Sequence, residues 1–208
     1  LKVNPATALS MLKNYVTLQP GDWVIQNAAN SGVGTGLIQL AQTLGIHTIN
    51  VVRRESLIAP LKQLGADVVT VDGADLGERV RAEIGADAPV KLAIDAVAGA
   101  ASMRLADCLS DEGTVVNYGL LSGDPCMISA EQVVFRGINL TGFWLAKTMR
   151  SMTHTQLQTL YTELAEKIIN NTLRVDVEAV YPIDQVKQAL EHANREGRDG
   201  KILIAPNS

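Results

Sequence analysis

A strand-like run, a glycine turn and a helix-like run follow one another between Trp23 and Leu44, and this order constrains the fold more than any other feature. The apolar run Trp23-Val24-Ile25 enters the segment Asn27–Gly36, NAANSGVGTG, and Leu37, Ile38, Leu40, Ala41 and Leu44 leave it at helical spacing. A turn of this kind gathers backbone N–H groups and the positive end of a helix at one point, which suits a phosphate. Gly32-Val33-Gly34 supplies the close-approach glycines. Leu37 stands where the G-x-G-x-x-G fingerprint ends, and Gly36 offers helix–sheet proximity in its place. A second apolar run, His47–Val52, ends in Arg53-Arg54. These arginines lie roughly 20 residues after the turn, where a site for unphosphorylated ribose carries Asp or Glu. Two cations there point to a ribose with a 2′-phosphate, and so to NADPH. The competing readings are a ligand-free βα turn and a solvated arginine loop; the strand-turn-helix context weighs against both. Glu55 beside the pair either steadies one guanidinium or repels the phosphate.

The rest of the chain repeats the alternation. Strands are expected at Trp23–Asn27, His47–Val52, Asp67–Val71, Leu92–Ala96, Thr114–Tyr118 and Ile138–Phe143. Helices are expected between them at Gly34–Gly45, Ser56–Gly65, Leu76–Ile84, Ala100–Ser110 and Ala130–Arg136, the first two closed by glycine caps. The predicted class is α/β, a doubly wound parallel six-stranded Rossmann-like sheet. A leading helix over Leu1–Asn14 precedes it. After Trp144 the pattern changes to a long amphipathic helix, Thr153–Asn171, then a strand Val175–Val180, a helix Ile183–Arg195 opened by Pro182, and a strand Lys201–Ala205. That last strand needs a partner outside the dinucleotide fold. Residues 1–170 are therefore read as a cofactor-binding domain and 171–208 as a piece of a second, catalytic domain otherwise absent. The opening at Leu1 in place of Met points to a fragment of a longer enzyme.

Composition narrows the partners. Of 208 residues, 47% are apolar and 19% charged, so a sizeable core is within reach and disorder is excluded. A net charge of −4 provides no global positive field for nucleic acid or an acidic membrane, and Arg53-Arg54 stands out against it. No apolar run reaches the roughly 20 residues of a membrane span, and no signal or transit pattern is present. The expected location is cytoplasmic, or mitochondrial in a eukaryote. Cys108 and Cys126 form no disulfide framework and read as buried free thiols. With His47, His154 and His192 far apart, no zinc-ligand spacing is visible.

Several segments carry a family likeness. VNPATALSML at Val3–Leu12, QPGDWVIQNAANSGVG at Gln19–Gly34, TINVVR at Thr48–Arg53, VVNYGLL at Val115–Leu121, LTGFWL at Leu140–Leu145 and DGKILI at Asp199–Ile204 resemble the 2-enoyl thioester reductases. These are mitochondrial-type trans-2-enoyl-CoA/ACP reductases of the zinc-free medium-chain dehydrogenase/reductase superfamily. The NSGVG turn and the GFWL segment are the more specific parts; VNPxTA and GD-x-V also occur in zinc-free quinone reductases. The resemblance implies NADPH contacts at Asn4 near the nicotinamide and at Asn30, Ser31, Gly32, Val33 and Gly34 along the pyrophosphate. It implies Arg53 and Arg54 on the 2′-phosphate, although Arg53-Arg54-Glu55 departs from the R-D-R of the family. Tyr118, Gly119, Leu120 and Leu121 match a YGGM loop with Leu120 in place of its second glycine. Phe143, Trp144 and Leu145 would flank the nicotinamide and the acyl pocket, and Lys201 would approach the cofactor.

Each of these has a local alternative. Asn4 serves equally as a helix N-cap before Pro5. Tyr118, Phe143 and Trp144 also fit as core aromatics, and Lys201 as a solvated lysine. Asp95 reads as a buried acid that accepts backbone or hydroxyl hydrogen bonds. In the family a tyrosine of the other domain is associated with proton donation, so no catalytic residue is assigned here. The function expected is reduction of the C2=C3 bond of a 2-enoyl thioester. The alternatives are a quinone or activated-alkene reductase on the same scaffold, and a nucleotide-binding module without chemistry of its own. The sixth strand, Ile138–Phe143, is expected to pair across a two-fold axis in a homodimer.

Overall fold

A computed structural model describes residues 2–195 and 200–206; Leu1 of the leading helix and Asp199 of the DGKILI segment lie outside the described residues. The chain divides into two compact units, Leu1–Thr172 and Leu173–Ser208. In the first, α1 (Asn4–Asn14) precedes β1 (Trp23–Gln26), α2 (Gly32–Thr43), β2 (His47–Val52), α3 (Ile58–Leu64), β3 (Val68–Val71), α4 (Leu76–Ile84) and β4 (Val90–Asp95). Then come α5 (Ala100–Cys108), β5 (Thr114–Asn117), α6 (Ala130–Val134), β6 (Asn139–Gly142), α7 (Leu145–Ser151) and α8 (His154–Ile169). The six strands form one sheet in the order β3-β2-β1-β4-β5-β6, every pair parallel. This is the doubly wound Rossmann-like arrangement expected from the alternation.

The strands are continuous apolar runs because helices cover both faces of the sheet. One face packs Ile25, Ile49, Val51, Ala93 and Val115 against Leu76, Val80, Leu105 and Ala106 of α4 and α5. On the other, Ile38 of α2 and Leu61 of α3 meet Val52 and Val69. Gly45 (φ 68°) and Gly65 (φ 106°) end α2 and α3 in the left-handed region, as their positions predict. Reciprocal capping boxes open α6 through Ser129 and Gln132, and α8 through Thr153 and Gln156. Cys108 is buried, and burial pushes its thiol up to about 12, so it is an inert core thiol rather than a nucleophile. Cys126 is half-buried and also free.

Differences from expectation are local. Helix α7 has no buried residue, so no apolar face marked it. A single 3-10 turn, Glu55–Leu57, occupies the start of the expected helix Ser56–Gly65. In the second unit, β7 (Val177–Pro182), a 3-10 turn, α9 (Val186–Ala193) and β8 (Lys201–Ala205) follow in order. Pro182 ends β7 and caps the 3-10 turn instead of opening the helix. The last strand finds its partner within the unit, because α9 crosses over and lets β8 pair parallel to β7.

At the C-terminal end of β4, Asp95 is fully buried and its carboxylate accepts five hydrogen bonds. Asn27 Nδ2 (2.6 Å) and the backbone N–H groups of Val97 (2.9 Å) and Ala98 (3.0 Å) donate to Oδ1. Ser102 Oγ (2.6 Å) and Asn117 Nδ2 (3.0 Å) donate to Oδ2. Burial alone would raise its pKa, but the donors from Ser102, Asn27, Ala98 and Asn117 outweigh it and hold the carboxyl below its ordinary value. A depressed folded-state pKa makes this contribution to stability complete above the unfolded value of about 3.9. It is lost as the pH falls from there through the lower native value. Asp95→Ala is expected to lose at least about 3 kcal/mol in urea unfolding at pH 7, because several buried donors lose their acceptor. Asp95→Asn should flatten the fall in the urea midpoint of the parent protein below pH 4; an unchanged acid limb would count against the carboxylate.

Candidate functional site

The order β3-β2-β1-β4-β5-β6 reverses direction between β1 and β4, the switch point beyond whose carboxyl ends a doubly wound sheet binds its ligands. The chain leaves β1 through Asn27, whose side chain is pinned on both sides. Its Nδ2 donates to Asp95, and its Oδ1 accepts from the Ala96 N–H at 2.7 Å. Ala28 then takes a left-handed conformation (φ 47°), rare for a residue with a Cβ, and Ala98 does the same beyond β4 (φ 66°). Two strained alanines at the same sheet edge mark where the turn geometry is dictated by the site rather than by propensity.

Ser31 is the N-cap of α2: its Oγ accepts the Gly34 N–H at 3.1 Å. The N–H groups of Gly32 and Val33, first in the helix, have no intrahelical carbonyl to meet. With the helix dipole they form a cradle for an anion. Gly34 is required by its surroundings, since a Cβ there would lie 2.4 Å from the Ala29 carbonyl oxygen. Asn30 is exposed at the crest of the turn.

Three loops face this cradle from the same sheet edge. After β2, Arg53 and Arg54 are both exposed, and among the described residues neither pairs with Glu55. The nearby acid that could have neutralised them is already engaged. Asp72, whose N–H donates to the Val52 carbonyl at 2.9 Å, receives Arg104 in a bidentate pair at 2.7 and 2.5 Å. After β5, the Tyr118 N–H donates to the Asp95 carbonyl at 2.9 Å. Burial raises the Tyr118 phenol above its ordinary value, and the nearby Ser31 side chain draws it partly back. Gly119 passes so close to β4 that a Cβ would sit 2.6 Å from the Ala96 oxygen. Leu120 and Leu121 project outward, 67% and 71% exposed.

After β6, Phe143 and Trp144 part company. Phe143 is buried, its N–H on the Asn117 carbonyl at 2.8 Å and its ring edge-on to Tyr15 at 6.3 Å. Trp144 is 63% exposed under the guanidinium of Arg150 at 5.9 Å, and Leu145 opens α7 half-buried. Phe143 therefore has the core placement considered for it, and Trp144 does not.

The structure thus brings Asn30, Ser31, Gly32, Val33, Gly34, Arg53, Arg54, Tyr118, Gly119, Leu120, Leu121, Phe143, Trp144 and Leu145 to one edge of one sheet. Asn4 requires a correction: it is not the N-cap of α1. Val3 takes that position, the helix starts at Asn4, and no side-chain capping bond forms. An N-cap side chain bonds the free amides from just outside the helix, and Asn4 lies one residue too far in for that role. Lys201 opens β8 in the second unit, where its N–H donates to the Asp176 carbonyl at 2.7 Å. Asn27 and Ala98 were not foreseen; the buried Asp95, legible in the sequence, was the signal that leads to both. No three His, Cys, Asp or Glu side chains converge among the described residues. Nor is any helix among them long and apolar enough to cross a membrane.

Comparison with known proteins supports the fold and the family. A family model described as zinc-binding dehydrogenase matches residues 32–166. The mitochondrial enoyl-[acyl-carrier-protein] reductase of Dictyostelium discoideum is 36% identical over 98% of the chain, which covers 59% of that protein. The Etr1p/NADP/crotonyl-CoA complex aligns over 98% of the chain and 59% of its own, with 28% identity and a TM-score of 0.84. A protein assigned as an NADPH:quinone reductase from Bacillus thuringiensis aligns over 98% of the chain and 62% of its own, with 29% identity and a TM-score of 0.85. The chain spans 59% of the Dictyostelium discoideum protein and 52% of the Rattus norvegicus one, about half the length of the curated relatives it matches.

Gly34→Ala tests the tightness of the cradle. Forcing a methyl against the Ala29 oxygen should cost about 2–3 kcal/mol in thermal or urea unfolding. Gly21→Ala, with φ 92° but nothing within 4 Å of the added Cβ, should cost only about 1–2 kcal/mol of backbone strain. Equal losses for the two would mean that the turn has room to relax.

Proposed function

The chain belongs to the zinc-binding dehydrogenase family, and from that premise we propose that it is the cofactor-binding part of an NADPH-dependent 2-enoyl thioester reductase. The observation that carries this reading is the pairing, at the sheet's switch point, of the Ser31–Gly34 cradle with two unpaired guanidinia one strand away. The N–H groups of Gly32 and Val33 would hold a pyrophosphate, and Arg53 and Arg54 a ribose 2′-phosphate. Asn30, Tyr118, Gly119, Leu120 and Leu121 would line the turn, with Phe143, Trp144 and Leu145 toward the nicotinamide. Contacts from Asn4 and Lys201 belong to the same proposal.

NADPH, when bound, supplies hydride to the β-carbon of the enoyl group. The share of the chain in that chemistry is to bind and orient. Among its tyrosines, Tyr15 donates to the Gly142 carbonyl and Tyr161 to the Lys2 carbonyl, Tyr181 is hydrogen-bonded with His192, and burial raises the Tyr118 phenol. None is assigned as the proton donor to the α-carbon. Residues 171–208 are read as part of a catalytic domain. Two parallel strands are not a self-sufficient sheet, and this pair leaves Val180, Leu203 and Ile204 exposed. A cytoplasmic location, or a mitochondrial one in a eukaryote, accompanies this reading.

The likeness to the Bacillus thuringiensis protein supports a second reading, reduction of a quinone or other activated alkene on the same scaffold. The two separate by NADPH oxidation with the full-length enzyme. Turnover with crotonyl-CoA and longer enoyl-CoA esters is expected; brisk quinone reduction without it would favour the second. We also propose a homodimer through β6, an edge strand exposed along its whole length beside Phe135, which is 82% exposed. Light scattering should give twice the chain mass, and a monomer would exclude it. Replacing both arginines, as Arg53→Gln/Arg54→Gln, should weaken NADPH binding by about 10–100-fold in a fluorescence titration and leave NADH nearly unchanged. An unaltered NADPH-to-NADH ratio would remove the arginines from the site.

A further inference from the structure

A line of buried amides runs beneath the glycine turn, and neither the fold nor the proposed cofactor contacts account for it. Gln26, the last residue of β1, is fully buried on the face that α2 covers. Its Nε2 donates to the Gly34 carbonyl at 3.0 Å and to Asn50 Oδ1 at 2.7 Å. Asn50 lies directly opposite on β2, also fully buried. Its Nδ2 donates to Thr48 Oγ1 at 2.9 Å and to the Val68 carbonyl of β3 at 3.1 Å. The line therefore passes from β3 through β2 and β1 into the first turn of α2.

Two amides in the middle of an otherwise apolar layer call for a reason. Burying them lowers stability unless they are bonded, and Gln26 Oε1 has no partner at all. Methionine or leucine would fill the same space without that penalty. What they would lack is a directional bond fixing the height of the Gly34 carbonyl over the sheet. From the other side, Gly34 is already pressed against the Ala29 carbonyl, with no room for a Cβ. The first turn of α2 is thus held between a hydrogen bond below and a backbone contact in front. The N–H groups of Gly32 and Val33 are covalently continuous with it.

We infer that Gln26 and Asn50 are positioning residues, which set the glycine turn at the height its N–H groups need to meet a pyrophosphate. The inference rests on the NADPH reading above. It makes a distinction within that reading: the pair acts on the pyrophosphate end of the ligand, and the arginines act on the 2′-phosphate end. Adenosine 2′-monophosphate, which has the second phosphate and no pyrophosphate, separates the two.

The test is titration of the full chain, as parent, Gln26→Met and Asn50→Ala, with NADPH and with adenosine 2′-monophosphate, alongside thermal melting. Gln26→Met should weaken NADPH about tenfold, the scale of one lost directional bond, and leave adenosine 2′-monophosphate within about twofold. Asn50→Ala should lower NADPH affinity by a smaller factor, since Gln26 keeps its bond to Gly34. Parallel weakening of both ligands would overturn the inference, as would unchanged NADPH binding in a folded Gln26→Met. Failure of both variants to fold would overturn it as well, because the pair would then serve the core and not the turn. A parent chain that binds adenosine 2′-monophosphate but not NADPH overturns it too. Binding of neither ligand by the parent refutes the NADPH reading itself.

Discussion

One buried carboxylate ties together the strand ends at the centre of the candidate site. Asp95 takes donors from the turn after β1, from its own strand's exit, from the first turn of α5 and from the end of β5. A neutral isostere could not accept that many bonds, and a charge without them would not survive burial. The strand ends are consequently registered to one another by a common acceptor and not only by the ladder between strands. Tyr118 donates its N–H to the Asp95 carbonyl and so fixes the exit of β5 to β4 as well.

Much of this architecture was legible from residue patterns because they encode it locally. The glycine turn, the apolar strands and the caps at Gly45 and Gly65 each follow from a backbone requirement that few residue types meet. Asp95 was legible as well, since an acid inside an apolar strand must be bonded. Other parts left no trace. Ala28 and Ala98 adopt left-handed conformations that alanine never advertises; the neighbouring hydrogen bonds impose them. Helix α7 buries nothing and so has no periodicity to read. Phe143 and Trp144 are adjacent and chemically alike, and only the end of β6 decides that one turns inward and the other out. The misplaced cap at Asn4 has the same origin: one residue of shift at a helix start changes which side chain is free to reach back.

The site also shows how acids and bases are kept from cancelling one another. Asp72, whose N–H meets the end of β2, gives both of its carboxylate oxygens to Arg104, so this acid is spent within the protein. Asp95 is spent in the same way. Apart from the exposed Glu55, what remains at the edge is donor in character: free helix N–H groups on one strand's turn and guanidinium groups on the next. That bias is stronger than the composition of the chain would suggest.

The Arg53-Arg54 pair has a kinetic consequence. It sits on a chain of net charge −4, so an approaching polyanion meets mild repulsion at long range and attraction only close in. With a screening length of about 8 Å at physiological ionic strength, the arginines cannot steer the encounter. They act after contact. In the proposed NADPH site, discrimination between a phosphorylated and an unphosphorylated ribose would then fall on how long the nucleotide stays and not on how often it arrives.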